Sequence, residues 1–151
     1  MASIYSTTTE GERALTAATA KTLITLIGAT AVKARIVELG IAFDSTSSSA
    51  EPVRVRLVRA TADGTGTAAT VKAWDPDNPT ASATSKYNYS AEPTKESQAL
   101  CEWQVHPQAG IVVQYPLGRE PVLDNATTSI LCLEATAPAA VNSSAYLVWE
   151  E

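Results

Sequence analysis

The sequence predicts an all-β domain, an antiparallel β-sandwich of jelly-roll-like type with an extended N-terminal arm. Three observations carry that reading: short β-branched runs alternate apolar and polar residues with period two, clusters of Gly, Pro, Asn and Asp separate them, and no stretch sustains the 3.6-residue period of a long helix. A chain of 151 residues is one domain of common size, able to bury a core without metal or disulfide staples. The crossover helices that a parallel α/β sheet requires have no counterpart in the pattern.

Residues 1–20 lack a sustained apolar period and are rich in Thr, Ser and Ala. They are read as an arm, with residues 21–151 as the sandwich domain. A short helical turn over residues 12–18 and a frayed terminus are the alternatives. Ile4 and Tyr5 are two anchoring side chains isolated in this polar stretch, and they are the candidate docking residues of the arm. Fully extended, 20 residues reach roughly 65 Å.

Strand signals follow. Residues 23–27 form a first strand closed by Gly28. Residues 33–43 form the longest, with Val37, Leu39, Ile41 and Phe43 on one face. Gly40, on the other face, marks a bulge or a close neighbour. Residues 44–52 are a polar loop. Residues 53–59 alternate Val53, Val55 and Leu57 against Arg54 and Arg56, the pattern of a strand with one buried and one solvated face. The run DGTGT at residues 63–67 supplies a turn, because glycine tolerates positive φ. Residues 71–74 are a short strand stopped by DPDNP. A marginal or edge strand is expected around Tyr87 and Tyr89. Residues 99–105 place Cys101, Trp103 and Val105 on one face. Residues 111–115, 129–135 and 145–150 complete a set of about eight or nine strands, the spacing of a sandwich or jelly roll.

Composition narrows the chemistry. Charged residues are 18% of the chain, with a net charge of −5, so few full charges need new partners when another protein covers the surface. Apart from Arg54, Arg56 and Arg59 the basic residues are scattered, which leaves no stripe to neutralise phosphates and argues against nucleic acid. No apolar run approaches the roughly 20 residues that span a bilayer, and no leader pattern opens the chain. A soluble, unsecreted protein without a membrane partner is expected.

The single histidine, His106, lies in the turn HPQAG and cannot by itself furnish a triad or a multi-histidine metal site. Glu38, Glu102, Glu134 and Glu150 lie in predicted strands, where a glycosidase pair is the functional reading and solvated strand faces the plainer one. Asp75, Asp77 and Asn78 lack the central glycine and distal Glu of a calcium loop, so a Pro-stopped turn is the better reading. Cys101 and Cys132 are read as buried thiols in preference to a disulfide. Trp74, Trp103 and Trp149 would stack on sugar rings if exposed together; Trp103 and Trp149 are instead expected in the core. No catalytic residue, metal or cofactor is assigned, and the chain is read as a non-enzyme.

Four segments together carry a resemblance: the Thr/Ser/Ala-rich residues 1–20, VKARIVELGIAFD at residues 32–44, VVQYPLGREPVL at residues 112–123, and the ending YLVWEE at residues 146–151. The chain resembles the capsid decoration (cement) proteins of tailed bacteriophages. That resemblance implies a homotrimer made in the bacterial cytoplasm, which binds the major capsid protein on the exterior of the virion and bridges capsomers. The alternative function is a carbohydrate-binding β-sandwich of a phage tail or cell-surface protein, which requires at least two aromatic side chains exposed on one face.

Overall fold

The computed structural model describes residues 2–45 and 51–151, and within them the chain forms two antiparallel sheets and no helix. The first sheet is built on β1 (Ile4–Thr8), β4 (Ala34–Phe43), β7 (Val71–Ala73), β10 (Gly110–Gln114) and β13 (Val141–Glu150). Its order is β10-β4-β13-β1-β7, with β2 (Arg13–Leu15) beside β13 and β11 (Val122–Leu123) beside β4. The second sheet contains β3 (Ala20–Ile27), β5 (Val53–Ala62), β6 (Thr65–Ala68), β8 (Thr84–Ala91), β9 (Thr94–Val105) and β12 (Ile130–Thr136), in the order β6-β8-β3-β12-β5-β9.

Alternation decides which side chains meet between the sheets. Val53, Val55 and Leu57 of β5 are fully buried with Leu131 and Leu133 of β12, while Ile36, Leu39 and Ile41 of β4 and Leu147 and Trp149 of β13 close on them from the other sheet. Each such side chain contributes about 1.5–3 kcal/mol through removal from water. Leu57 and Val58 are neighbours in sequence and so point to opposite faces. Val58 therefore belongs to a second cluster, with Ile27, Ala60, Ile130 and Cys132, outside the second sheet.

This parity separates the cysteines. Cys101 stands opposite Leu57 and Cys132 opposite Val58, on strands either side of β5. They lie on opposite faces and about 10 Å apart at two inter-strand spacings, so no disulfide can join them. Both thiols are free, and burial pushes that of Cys132 up to about 12.

Residues 1–20 depart from the expected arm. β1 lies between β13 and β7, hydrogen-bonded to both, and β2 continues along β13. Polar composition hid the strand, because its inward positions are Tyr5, Thr7 and Thr9, all buried. Thr9 Oγ1 donates to the Gly11 carbonyl and accepts from the Ala145 N–H, whereas the buried Thr7 Oγ1 has no hydrogen-bond partner among the described residues. The strand at Tyr87 and Tyr89 is likewise no edge, since β8 pairs with β3 and β6. Both rings are buried because each hydroxyl finds a partner, Tyr87 on Glu10 at 3.0 Å and Tyr89 with Thr25 at 2.7 Å. The loop expected over residues 44–52 falls partly outside the described residues.

Gly40 has the close neighbour expected of it. The Tyr146 ring lies over the glycine, so that a Cβ there would stand 2.1 Å from Tyr146 Cε1. Tyr146 donates to Glu38 at 2.6 Å, and Gln114 donates to the same carboxylate at 2.7 Å. These two bonds hold Glu38 below the usual carboxylate range, while burial and then Glu38 push Tyr146 up to about 12. Gly40→Ala is expected to lift the ring, break its bond to Glu38 and cost about 1–3 kcal/mol, measured as a lower urea midpoint at unchanged slope.

Candidate interaction surfaces

The groups that could have supplied catalysis are each engaged in structural bonding. His106 is exposed in its turn, where Nδ1 accepts from the Gln108 N–H at 3.2 Å. Glu102 pairs with Arg54 at 3.1 Å and Glu150 with Arg35 at 3.3 Å. Glu134, 5% exposed, lies between Arg56 Nε at 3.1 Å and Lys95 Nζ at 2.6 Å. Asp75 Oδ1 accepts from the Asp77 N–H, which makes DPDNP a closed turn. Among the described residues no three metal-ligating side chains cluster.

The two candidate docking residues part company. Tyr5 is 2% exposed, its ring centroid 5.9 Å from that of Trp149 and its hydroxyl donating to the Pro79 carbonyl at 2.9 Å. It is an anchor, but of its own domain. Ile4 lies on the opposite face of the same strand at the exposure limit, and its carbonyl accepts from the Trp74 N–H. Trp74 is 61% exposed. Of the other two tryptophans, Trp149 is fully buried as expected, whereas Trp103 is only half-buried at the far side of the sandwich. The aromatic pair that a sugar platform needs is not formed by the three tryptophans.

That far side, where β9 and β10 border the two sheets, is the surface that sequence reasoning missed. Leu100 on β9 is 46% exposed, Val112 on β10 62%, and Leu117 90%. Leu117 is presented by a tight turn, with the Arg119 N–H donating to the Pro116 carbonyl and Gly118 at φ +83°. Between the edges, Cys101, Trp103, Ile111, Val113 and Tyr115 pack against the core while only partly covered. The Tyr115 hydroxyl is buried without a hydrogen bond of ordinary geometry and faces the Cys101 thiol; burial, then that sulfur, raises its pKa. The available signal was the sequence IVVQYPLG, an uncharged β-branched strand running into a turn with an apolar tip.

The fold and these surfaces define a two-sheet antiparallel all-β protein. Comparison of the chain with protein-family models, with curated proteins and with solved structures found no match.

Proposed function

We propose that the chain is a non-catalytic assembly protein of the decoration type, a homotrimer that binds the major capsid protein on the outside of a phage head and stabilises the shell by bridging capsomers. The observation that carries this reading is the apolar side bounded by β9 and β10, which exposes Leu100, Val112 and Leu117 on a domain whose strand carboxylates Glu102 and Glu134 are paired with Arg54 and Lys95. We read this side as a protein-contact surface, since apolar side chains left exposed on a soluble domain mark interaction sites where they gather into a patch. Leu117, 90% exposed at its turn, is assigned to the capsid, and three such tips held on one trimer act together, so modest individual contacts add up to durable attachment.

A jelly-roll relation between the sheets belongs to the same reading. It is supported by nested pairing: β1 with β13, β3 with β12, β4 with β10 and β5 with β9, the first strand with the last and so on inward. Such a ribbon of pairs, rolled so that successive strands change sheets, is a jelly roll, an architecture common among viral capsid domains and lectins. β6, β7 and β8 then form an insertion between β5 and β9, the fourth and fifth strands of the ribbon.

Sedimentation of the purified chain tests the assembly. A species of three times the 15.9 kDa chain mass is expected, and a Leu117→Asp variant is expected to occupy far fewer sites on isolated phage heads at unchanged fold. A monomeric wild-type chain, or full occupancy by the variant, counts against the reading.

A further inference from the structure

Edge strands offer rows of unpaired backbone groups, and monomers blunt them with shortness, charge, proline or bulges. One side of this sandwich is blunted. β7 has three residues including Lys72, and β6 has four with a broken register. The other side is not. β10 is GIVVQ, uncharged and in unbroken register with β4. The C-terminal half of β9, residues 101–105, is in unbroken register with β5, and its one charge, Glu102, is neutralised by Arg54 of the same chain. The bulges of β9 are confined to its N-terminal half.

Direction and height also match. β9 ends and β10 begins at one end of the sandwich, joined by residues 106–109, which are tied there by the Phe43 N–H on the Ala109 carbonyl and the Ser45 N–H on the Pro107 carbonyl. The two strands therefore run antiparallel, with Cys101 four residues before the end of β9 and Tyr115 five residues after the start of β10, which puts them at comparable distances from that end.

We infer that β10 of each copy adds antiparallel to residues 101–105 of β9 in the next copy, about a three-fold axis parallel to the strands; the inference rests on the trimer proposed above. Rotation about such an axis preserves strand direction, so β10 meets the neighbour's β9 antiparallel, the ordinary pairing. A closed ring has no rise, so the heights are preserved too. Gln104 of one copy then stands opposite Val112 of the next, Trp103 opposite Val113, and Cys101 opposite Tyr115. Inward-facing residues meet inward-facing ones and outward meet outward, a parity that a one-residue slip destroys. The half-covered Trp103, Val113 and Tyr115 become buried, and a heterologous ring uses two different edges of each copy, as closure requires.

Two variants test this. Gln104 and Val112 lie on the outer faces of opposite sheets, so Gln104→Cys/Val112→Cys cannot close a disulfide within one chain. Oxidation is expected to give a reducible species of three linked chains on a denaturing gel, with each single variant remaining one chain. In the second variant, Val112→Pro, the lost N–H is one that points out of the edge. The Tyr115 N–H donates to Val37 and the Ala109 carbonyl accepts from Phe43, so alternate residues 111, 113 and 115 face β4 and Val112 faces away. This variant is expected to be a folded monomer by circular dichroism and sedimentation. A wild-type monomer overturns the trimer itself. A wild-type trimer overturns only the edge pairing if the double variant stays uncrosslinked, if Val112→Pro remains trimeric, or if Val112→Cys alone links in pairs.

Discussion

Deletion of residues 1–20 is expected to unfold the protein. The deletion removes β1 and β2, separates β7 from its sheet, and leaves one side of β13 without a partner. It also strips two fully buried side chains, Tyr5 and Leu15, from the core. Truncation of a single buried aromatic side chain to alanine typically costs about 3–5 kcal/mol and of a leucine about 2–5. Together with an exposed five-residue ladder, these losses meet or exceed the roughly 5–15 kcal/mol by which domains are stable. Loss of the far-ultraviolet β signal and of dispersed amide resonances is the expected readout. Tyr5→Ala serves as the graded companion, with a fall of about 3–5 kcal/mol in unfolding free energy. A truncated chain that keeps a cooperative unfolding transition would return residues 1–20 to the role of a dispensable arm.

Glu134→Ala is expected to be the most damaging single charge removal, at about 3–5 kcal/mol, because it leaves two half-buried cations without their shared carboxylate. Lys95 Nζ lies 2.6 Å from Glu134, 3.0 Å from Glu92 and 2.8 Å from Thr22 Oγ1, and Arg56 Nε approaches Glu134 from the other side at 3.1 Å. Replacing the triad together, as Arg56→Met/Glu134→Leu/Lys95→Met, is expected to regain most of the loss, since no buried charge is then stranded. Urea denaturation of the three proteins measures both effects.

The same network sets a pH dependence. Burial opposes ionisation of Glu92, but its bonds from Thr22 and Lys95 outweigh that and hold its carboxyl below the usual range. A depressed carboxylate contributes stability above its unfolded pKa of roughly 4.3, and that contribution is lost as pH falls through the folded value. Burial would likewise lower Lys95, yet Glu134 and Glu92 outweigh it and raise its pKa. Its contribution is complete below the unfolded pKa of roughly 10.4 and is lost as pH rises through the folded one. Stability is therefore expected to be flat from above the carboxylate range to roughly pH 8, beyond which an unfolded thiol of pKa roughly 8.5 ionises while the buried Cys132 does not, with the acid loss shrinking in Glu92→Gln.

Period-two alternation made most of the strands readable, since inward and outward residues along β5 and the C-terminal half of β9 differ in polarity, but in β4 a register shift against Val148 and Trp149 turns Ile36 inward, where the pattern had placed Val37. Boundaries were less readable. β9 begins at Thr94 and β13 at Val141, ahead of the alternating runs 99–105 and 145–150, because backbone pairing extends a ladder wherever a neighbour is available. β2, β6 and β11 have at most four residues each and gave no local signal.

From its own residue pattern the chain determined its class, its inward-facing residues on β5, and the lack of a histidine set for catalysis, because side-chain parity without a bulge and residue inventory are local properties. Only the tertiary structure decided that Ile4–Thr8 is an inner strand and not an arm, that Cys101 and Cys132 occupy opposite faces of one sheet, and that Leu100, Val112 and Leu117 are left exposed. Each of those depends on which distant strands lie together. Tyr5 meets Trp149 across 144 positions of sequence, and a threonine-rich segment declares itself a strand only when β13 and β7 are present to satisfy its backbone.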